Sequence, residues 1–392
     1  MIDSLYLAWR YLTYNKIKTF ILVACITTIA ALPLSLEILL KESERQLALR
    51  ADSSPLLIGA KGSALDLVMN SLYFSDEIPE PIEMAAVEQV LDSGLAAPIP
   101  LYVRFHARGY PIVGTTLDYF EFRQLQIEQG QQFGMLGQCV VGSETARHLG
   151  LKPGDSIISS PETLFDIAGI YPLKMKITGV LAPSQSADDH AVFVDVKTAW
   201  VIEGLGHGHQ DVTTTSDSSV ILKKESGNVT ANAKLMQYAE ITEANIDSFH
   251  LHGDETSFPL TSVFVVPNDL KSSTILQGRY LEAETPYQVV RPKEVIDSLL
   301  ATIFKIRNVL DAVIVLVGMT TLLALTLVFS LSLRLREKEI DIIFKLGCNR
   351  ATIARLLGAE VLIIIVISST VCLGLLTLVI QYDQLFVRKL FL

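Results

Sequence analysis

The sequence of 392 residues contains only four cysteines, Cys25, Cys139, Cys348 and Cys372, and they are widely scattered. No CxxC pair and no Cys/His framework occurs, so neither an intrachain disulfide nor a structural zinc site is expected. A phosphate-binding loop is also missing: Lys61 lies between two glycines, whereas G-x-x-x-x-G-K-[ST] needs the second glycine directly before the lysine. An HExxH motif, a glycine-rich cofactor loop and a nucleophile motif are absent too. We therefore predict a chain that is not an enzyme and has no cofactor.

Charge is absent from long stretches of the chain. Ala312–Leu333 and Val361–Ile380 have no charged residue over 22 and 20 positions, and Phe20–Leu40 has only Glu37. About 20 apolar residues in a helix cross a hydrocarbon core of about 30 Å. We predict three spans, at 20–40, 312–333 and 361–380. A cleavable signal peptide is the alternative for the first run, but signal peptides have shorter apolar cores, of about 7–15 residues.

Acidic residues are concentrated between the first two predicted spans. Residues 41–305 hold 34 Asp/Glu and 20 Lys/Arg, a net charge of −14, while the rest of the chain carries +4. This segment is long enough to bury a core of its own. An acidic domain attached to mildly basic membrane-flanking segments gives no reason to expect a nucleic-acid partner.

The acidic segment alternates between strand-like and helical patterns, which predicts a mixed α+β domain at 51–292. We expect two lobes, one inserted in the other: lobe A at about 51–105 plus 216–290, and lobe B at about 106–215. Its predicted elements include a turn and an amphipathic helix in Ser54–Phe74, a strand-like run in Leu101–Val113, a helix over Ser143–Leu149 that is capped by Ser143 and ended by Gly150, and a helical stretch near Ala231–Ala239.

The flanking segments predict helices that leave the membrane. Met1–Thr19 has the spacing of an amphipathic helix, and Lys41–Arg50 continues span 1 as a stalk within residues 1–50. Glu294–Val309 runs without a breaker into span 2. Residues 293–392 are therefore divided into a stalk helix, span 2, a basic loop at 334–358, span 3 and a short tail.

Basic residues predict the orientation. Met1–Thr19 has three Lys/Arg, and residues 334–355 have six. Cytoplasmic segments close to spans are enriched in Lys and Arg. We expect a multi-pass protein whose N-terminus and basic loop are cytoplasmic and whose large domain is extracytoplasmic.

The basic loop contains two short amphipathic helical patterns, one ending at Gly347 and one beginning at Asn349. Ile353, Leu356 and Leu357 lie on one face of the second pattern. Two interpretations remain open: the helices lie on membrane lipid, or they dock into a groove of a soluble partner. Glu360 is costly at the entrance to span 3 unless it is paired or interfacial.

Histidines occur in two close pairs, His207/His209 and His250/His252, with acidic residues nearby. Such pairs can bind a divalent metal. No further ligand spacing constrains them, so solvated loop positions are the favoured interpretation.

The order of these features resembles a known family, the permease subunits of ABC transporters of the FtsX/MacB/LolC type. The residues that carry the resemblance are the pattern R-x-R-E-K-E-I-x-I-I-x-x-L-G from Arg334 to Gly347, Glu360 at the next span, and the domain stretches Val141–Asp155, Ile177–Pro183, Asp189 and Phe193–Asp195.

The resemblance implies a dimeric permease subunit without its own ATPase, in the inner (plasma) membrane of a bacterium, with the large domain periplasmic. The implied partners are a separate cytoplasmic ABC ATPase, a second permease copy or paralogue, membrane lipid and a periplasmic adaptor. ATP-driven movement would pass through the stalk helices to the domain, in lipoprotein release, efflux or signalling. The residues implied to couple to the ATPase are Glu339, Gly347, Arg350, Ile353, Arg355, Leu356 and Glu360.

One feature departs from the family pattern. The family usually has four spans and this sequence predicts three, so a truncated chain and a three-span variant both remain open. The alternative function is a membrane-anchored extracytoplasmic ligand- or metal-binding protein, such as a sensor.

Overall fold

The computed structural model describes residues 2–160, 172–208, 221–225, 228–231, 239–280, 285–335, 341–342, 345 and 349–391. Within them the chain divides into two compact units. The helical unit comprises Met1–Gln46 and Leu300–Leu392, and the sheet domain comprises Leu47–Leu299.

Ten helices are named here among the described residues: α1 (Ile2–Tyr14), α2 (Lys16–Asp52), α3 (Ala64–Tyr73), α4 (Ala85–Ser93), α5 (Asp118–Phe122), α6 (Ser143–Leu149), α7 (Val196–Glu203), α8 (Leu270–Tyr280), α9 (Pro292–Leu335) and α10 (Arg350–Phe391). Short 3-10 turns cover Ala187–His190, Ile246–Ser248 and Glu255–Ser257.

The strands of the described residues are β1 (Leu56–Ala60), β2 (Ile82–Glu83), β3 (Ala96–Ala107), β4 (Tyr110–Thr115), β5 (Ile127–Gly130), β6 (Gln138–Val141), β7 (Ser156–Ile158), β8 (Leu173–Leu181), β9 (Val192–Asp195), β10 (Gly206–Gly208), β11 (Ile221–Glu225), β12 (Asn228–Ala231), β13 (Ala239–Glu240), β14 (Phe249–Leu251), β15 (Pro259–Leu260), β16 (Ser262–Pro267) and β17 (Tyr287–Val290).

The sheet domain is built on one mixed sheet, which has eleven strands in the described part of the chain. Nine follow the order β13-β8-β6-β9-β4-β3-β16-β1-β17, and β5 and β7 both pair with β8. The short pairs β10–β14, β11–β12 and β2–β15 are separate. The predicted α+β class of the large domain is therefore confirmed, while its division into two lobes stays a prediction.

Both faces of this sheet are buried, because successive side chains of a strand point to opposite faces. In β16, Val263 and Val265 belong to the hydrophobic cluster that contains Trp200 of α7, whereas Phe264 lies 6.3 Å from the Tyr119 ring, centroid to centroid. The central strands therefore have continuous apolar sequences and not an alternating pattern.

Three sequence predictions need correction in this domain. Ser54–Phe74 contains the strand β1 before the helix α3, because Leu56–Ala60 lies between β16 and β17. Leu101–Val113 covers two strands, β3 and β4, joined at Arg108 and Gly109, which both have positive φ as a two-residue hairpin turn requires. The helix α6 has the predicted bounds, but its N-cap is Gly142 and not Ser143. The helical stretch near Ala231–Ala239 lies largely outside the described residues, and Ala231 itself ends β12.

In the helical unit, α1 packs against α10, and a small cluster joins Leu12 of α1, Leu22 of α2 and Ile364 of α10. Elsewhere apolar side chains face outward: Leu316, Leu323 and Leu373 are 59, 69 and 63% exposed. Among the described residues, Lys16–Asp52 and Ala351–Tyr382 are long and apolar enough to cross a membrane, and Asp311–Leu323 is a shorter apolar segment. Spans 1 and 3 thus coincide with candidate helices, and the three-span arrangement stays a prediction.

Helix bounds in this unit also differ from expectation. The amphipathic N-terminal helix ends at Tyr14 and not at Thr19. The second loop helix, span 3 and the predicted short tail form one helix, α10, because a single helical glycine such as Gly358 costs only about 1 kcal/mol and does not break it. The predicted continuity of the stalk with span 2 holds, since α9 runs unbroken from Pro292 to Leu335.

Candidate functional site

The sheet domain contains a buried network of charged and aromatic side chains at the last turns of α2. Arg50 projects from α2, and its guanidinium forms a bidentate ion pair with Asp188, with Nη1 to Oδ2 at 2.6 Å and Nη2 to Oδ1 at 2.9 Å. Both side chains are buried, at 7 and 2% exposure. Nη2 also donates to the Tyr119 hydroxyl at 3.1 Å, and Nε donates to the Leu72 carbonyl. Four of the five N–H donors of the guanidinium fork are thereby used.

Asp188 is as fully satisfied as Arg50. It lies in the 3-10 turn Ala187–His190 and accepts hydrogen bonds from the Tyr119 hydroxyl at 2.8 Å and from the Ser186 hydroxyl at 2.8 Å. Tyr119 comes from α5, so the network joins three segments that are distant in sequence. A buried ion pair whose members are all hydrogen-bonded fixes the relative position of the elements that carry it.

The electrostatics keep this pair charged at neutral pH. Burial raises the pKa of the Asp188 carboxyl, but the charge and hydrogen bonds of Arg50 outweigh this effect and bring its pKa down to about 2. For Arg50, burial lowers the pKa and the charge of Asp188 more than restores it, so the net shift is upward. Burial raises the pKa of Tyr119, whose hydroxyl therefore stays protonated and donates.

A second arginine holds the end of the same helix. Arg123 donates to the Ser53 hydroxyl at 3.0 Å and to the Ser54 hydroxyl at 2.9 Å, and its guanidinium lies 4.8 Å from the centre of the Phe264 ring. Nearly two turns earlier, the Tyr73 hydroxyl donates to the Leu47 carbonyl at 2.6 Å. Residues 47–54 are therefore fixed to the domain by side chains from α3 and from the chain around α5.

The first residues of α9 contact the last residue of α2. Lys293 Nζ lies 2.6 Å from Asp52 Oδ1, and both side chains are about half exposed. The two helices that flank the sheet domain in sequence are thus joined at the ends that belong to this domain. We call residues Leu47–Ser54, Tyr119, Arg123, Asp188 and Lys293 the helix joint.

The helix joint has the chemistry of an attachment and not of a reaction. Its carboxylates are paired, Asp188 with Arg50 and Asp52 with Lys293. Its hydroxyl groups take part in hydrogen bonds. Among the described side chains, no group of three or more His, Cys, Asp or Glu could hold a metal ion. The arrangement attaches the last turns of α2 to α3, to α5 and to the turn that holds Asp188.

The sheet domain matches a known family. Residues 52–238 match the model of the MacB-like periplasmic core domain. The chain carries a MacB-like periplasmic core domain. The match supports the resemblance to FtsX/MacB/LolC-type permeases, and it supports a permease-type component of an ABC transporter with a membrane-anchored extracytoplasmic domain. Permeases of this family are non-catalytic components that work with cytoplasmic ATPase subunits.

Solved structures give weaker likenesses. The periplasmic region of MacB from Actinobacillus actinomycetemcomitans is similar over 63% of this chain and 92% of that chain, at 10% identity and a TM-score of 0.35. The extracellular domain of the noncanonic ABC-type transporter YknZ from Gram-positive bacteria is similar over 60% and 98%, at 12% identity and a TM-score of 0.32. No curated protein sequence matches the chain. The assignment rests on the family model.

The predicted coupling residues of this permease lie elsewhere, in the helical unit. Glu339 and Gly347 fall outside the described residues. Arg350 begins α10, where Ile353 and Leu356 are half-buried, Arg355 is exposed and Glu360 is 3% exposed. Their role in coupling is a prediction, and these residues are separate in the chain from the helix joint.

Sequence reasoning missed the helix joint of the MacB-like domain. The sequence indicates Arg50 only as the end of the predicted stalk Lys41–Arg50, and no sequence pattern singles out Asp188. One local signal is the spacing of Leu47 and Arg50 near the end of the predicted stalk helix. At i, i+3 they share one face of the helix, so Arg50 lies on the same side as an apolar residue. The pairing partner, 138 residues away, is not readable from a single sequence.

Proposed function

We propose that this chain is the mechanotransmission permease of an ABC transporter: a separate cytoplasmic ATPase docks on residues 334–358, and its closure moves the extracytoplasmic domain through α2 and α9. The observation that carries the proposal is the fixation of α2, whose last turns are locked into the sheet domain by Arg50 and Arg123. The work is done at the periplasmic face, as export, extraction or signalling, by a dimer with a second copy or a paralogue.

Helix length supports a role in transmission. At about 1.5 Å per residue, the 37 residues of α2 extend for about 55 Å and the 44 residues of α9 for about 66 Å. A hydrocarbon core is only about 30 Å thick. Both helices are therefore long enough to leave the bilayer and enter the domain without a flexible linker. A flexible hinge would absorb a displacement, whereas a helix without a break passes it on. Pro33 removes one hydrogen bond of α2, but the helix continues from Lys16 to Asp52.

Docking on the coupling segment is tested by co-purification. An ABC-type ATPase encoded by a neighbouring gene is co-expressed with the full chain, which is then purified in detergent. We expect the ATPase to co-purify with the wild type and to be lost from Arg350→Glu with Arg355→Glu, because both changes reverse charge in the proposed contact. The matched control is Lys271→Glu with Arg279→Glu, which reverses two charges on the exposed side of α8. Retention of the ATPase by the Arg350/Arg355 variant would overturn the docking site.

Transmission through the helix joint needs a variant that keeps ATPase docking. Arg50→Met with Tyr119→Phe and Asp188→Leu removes every charged member of the buried pair and its hydroxyl partner, without leaving an unpaired charge. We expect the ATPase to co-purify normally with this variant. In the wild-type complex, ATP with vanadate should change the hydrogen exchange of the sheet domain, and in the variant this change should be lost. An unchanged response would show that the joint does not carry the movement.

A further inference from the structure

In the helical unit, α1 and α2 meet at a bend at Asn15. Polar side chains hold this bend in one conformation. The Asn15 side chain donates to the Tyr11 carbonyl at 3.3 Å. The Thr19 hydroxyl donates a bifurcated hydrogen bond to the carbonyls of Leu12 and Asn15, at 3.0 and 3.1 Å. Because these bonds occupy the last carbonyls of α1, the bend is fixed. We call residues 14–22 the elbow.

The elbow forms a groove with a volume of about 650 Å³. Among the described residues, its lining consists of residues 14–18, Ile21 and Leu22, and most of the lining surface is apolar. Lys16 is exposed and has no ion pair with a described residue. Lys18 Nζ lies 5.5 Å from the centre of the Tyr11 ring, as in a cation–π contact. The groove therefore places an exposed cation next to an apolar wall.

The exposed side chains of the elbow are typical of a membrane–water boundary. Tyr14, Ile17 and Phe20 are 87, 80 and 73% exposed. Aromatic residues are enriched where a membrane-crossing helix meets the headgroups. The elbow includes the first residues of Lys16–Asp52, which is long and apolar enough to cross a bilayer. If α2 crosses the membrane, the groove lies at the level of the lipid headgroups.

Charge and polarity together select the ligand. Residues 1–19 contain three basic side chains and one acidic side chain. A soluble anion would neutralise Lys16 but leave Ile17 and Ile21 without an apolar partner. An apolar chain would cover these isoleucines but give Lys16 no counter-ion. A phospholipid with a net negative headgroup supplies both parts, and basic residues next to a membrane attract such lipids.

We propose that the elbow binds one anionic phospholipid, with the negative charge of its headgroup at Lys16 and an acyl chain along Ile17 and Ile21. The site goes beyond the proposed permease function and requires only that α2 crosses the bilayer. The bend is fixed, and α1 also packs against α10. A lipid bound here would therefore fix the position of both helices relative to the membrane surface.

The test is fluorescence quenching in the full chain with Trp9→Phe and Tyr14→Trp, which places a tryptophan in the groove. The vesicles contain equal amounts of phosphatidylglycerol and phosphatidylcholine, and only one of the two lipids is brominated in each preparation. The membrane charge is therefore the same in both. We expect phosphatidylglycerol to be preferred at the new tryptophan by about fivefold, as one lysine near a membrane surface gives. Trp200 is 1% exposed and contributes a constant background.

Variants of the reporter chain distinguish a site from general attraction of basic residues to the membrane. Lys16→Gln should abolish the preference and Lys16→Arg should keep it. The matched control is Arg10→Gln, which removes the same charge from an exposed residue of α1 outside the groove lining and should also keep it. Far-UV circular dichroism checks that each variant keeps its helices. Equal quenching by the two brominated lipids in the reporter chain would overturn the proposal. An equal loss of preference in Arg10→Gln and Lys16→Gln would do the same.

Discussion

Arg50 and Asp188 form a buried bidentate ion pair between residues 138 positions apart, at distances of 2.6 and 2.9 Å. Arg50 is on the helix that leads out of the helical unit in sequence, and Asp188 is on a turn of the MacB-like domain. A buried ion pair contributes little net stability compared with well-packed apolar residues, but breaking one leaves a buried charge without its partner. The pair therefore determines where α2 attaches more than how stable the domain is.

The first prediction concerns the cost of removing one member of the buried pair compared with removing both. Arg50→Met leaves the Asp188 carboxylate buried without a cation, so we expect the free energy of unfolding of the sheet domain to fall by about 3–5 kcal/mol. The apolar triple variant Arg50→Met, Tyr119→Phe and Asp188→Leu should lose clearly less, because it leaves neither member of the ion pair buried without its partner. Urea unfolding is followed by Trp200 fluorescence in the full chain with Trp9→Phe. Trp200 suits this purpose because its Nε1 donates to the Pro259 carbonyl at 2.8 Å inside the core.

The control for this prediction breaks an exposed ion pair of the same domain. Lys197 Nζ lies 2.9 Å from Glu255, and the two side chains are 44 and 57% exposed. Exposed pairs contribute about 0–1 kcal/mol, so Lys197→Met should change the stability by no more than that. If Arg50→Met were no more costly than Lys197→Met, the buried pair would not have the importance that its geometry indicates.

A second prediction concerns the backbone that supports Asp188. Gly142 precedes α6, and a Cβ atom added there would overlap the carbonyl oxygens of Asp188 and Asp189. The backbone must shift to accept alanine, so Gly142→Ala should lower the free energy of unfolding by about 1–3 kcal/mol. It should also move the turn that carries Asp188. The control is Gly62→Ala, because nothing lies within 4 Å of a Cβ atom at Gly62.

Urea unfolding of both glycine variants distinguishes crowding from a general glycine effect. Gly62→Ala should leave stability unchanged or raise it slightly, since alanine restricts the unfolded chain. Equal losses in the two variants would mean that the close approach at Gly142 is not the cause. Structural use of Gly142 also explains why the predicted Ser143 cap is wrong: the residue that precedes the helix has to pass directly beside the 3-10 turn.

Elements with strong local patterns could be predicted from the sequence. The helix α6 is one such case, since it has the predicted bounds Ser143–Leu149 and ends at Gly150, whose φ of 67° is a left-handed conformation that glycine adopts easily. The unbroken α9 is another, because Glu294–Leu333 contains no proline or charged interruption of its apolar face. Such features depend on neighbours in the chain, which a single sequence shows.

Features that depend on tertiary contacts could not be predicted. β1 looks like part of a turn because Leu56–Ala60 is short and ends in Gly59-Ala60, and only its place between β16 and β17 makes it a strand. The turn at Arg108-Gly109 has neither of the usual hairpin signals, Asn-Gly or Asp-Gly. Arg108 has a positive φ because the hairpin requires it, and its residue type gives no indication of this conformation. The same applies to the helix joint and to the strand pair β10–β14, whose residues meet across 138 and 43 positions.

The third prediction concerns the pH dependence of stability. The pKa of Asp188 is about 2 in the folded protein, below its ordinary value of 3.8. A carboxyl whose folded pKa is lowered contributes stability that is fully present above its unfolded pKa and is lost as the pH falls through its folded pKa. We therefore expect the stability advantage of the wild type over Asp188→Asn to be constant above pH 4. It should shrink by about 2 kcal/mol between pH 4 and pH 2.

Asp195 provides a control of opposite sign in the same domain. Burial raises its pKa above 3.8, and the hydrogen bond from the Lys197 backbone N–H does not offset this. Because its folded pKa is raised, Asp195 stabilises the fold relative to asparagine more at low pH than at high pH. The difference in unfolding free energy between the wild type and Asp195→Asn should thus change in favour of the wild type as the pH falls. Over the same range the stability advantage of the wild type over Asp188→Asn should decrease. Urea unfolding at intervals from pH 5 to pH 2 measures both. Carboxylates that all three proteins share cancel when the unfolding free energies are subtracted. If the advantage of the wild type over Asp188→Asn did not change below pH 4, Arg50 would not hold the Asp188 carboxylate in its charged form.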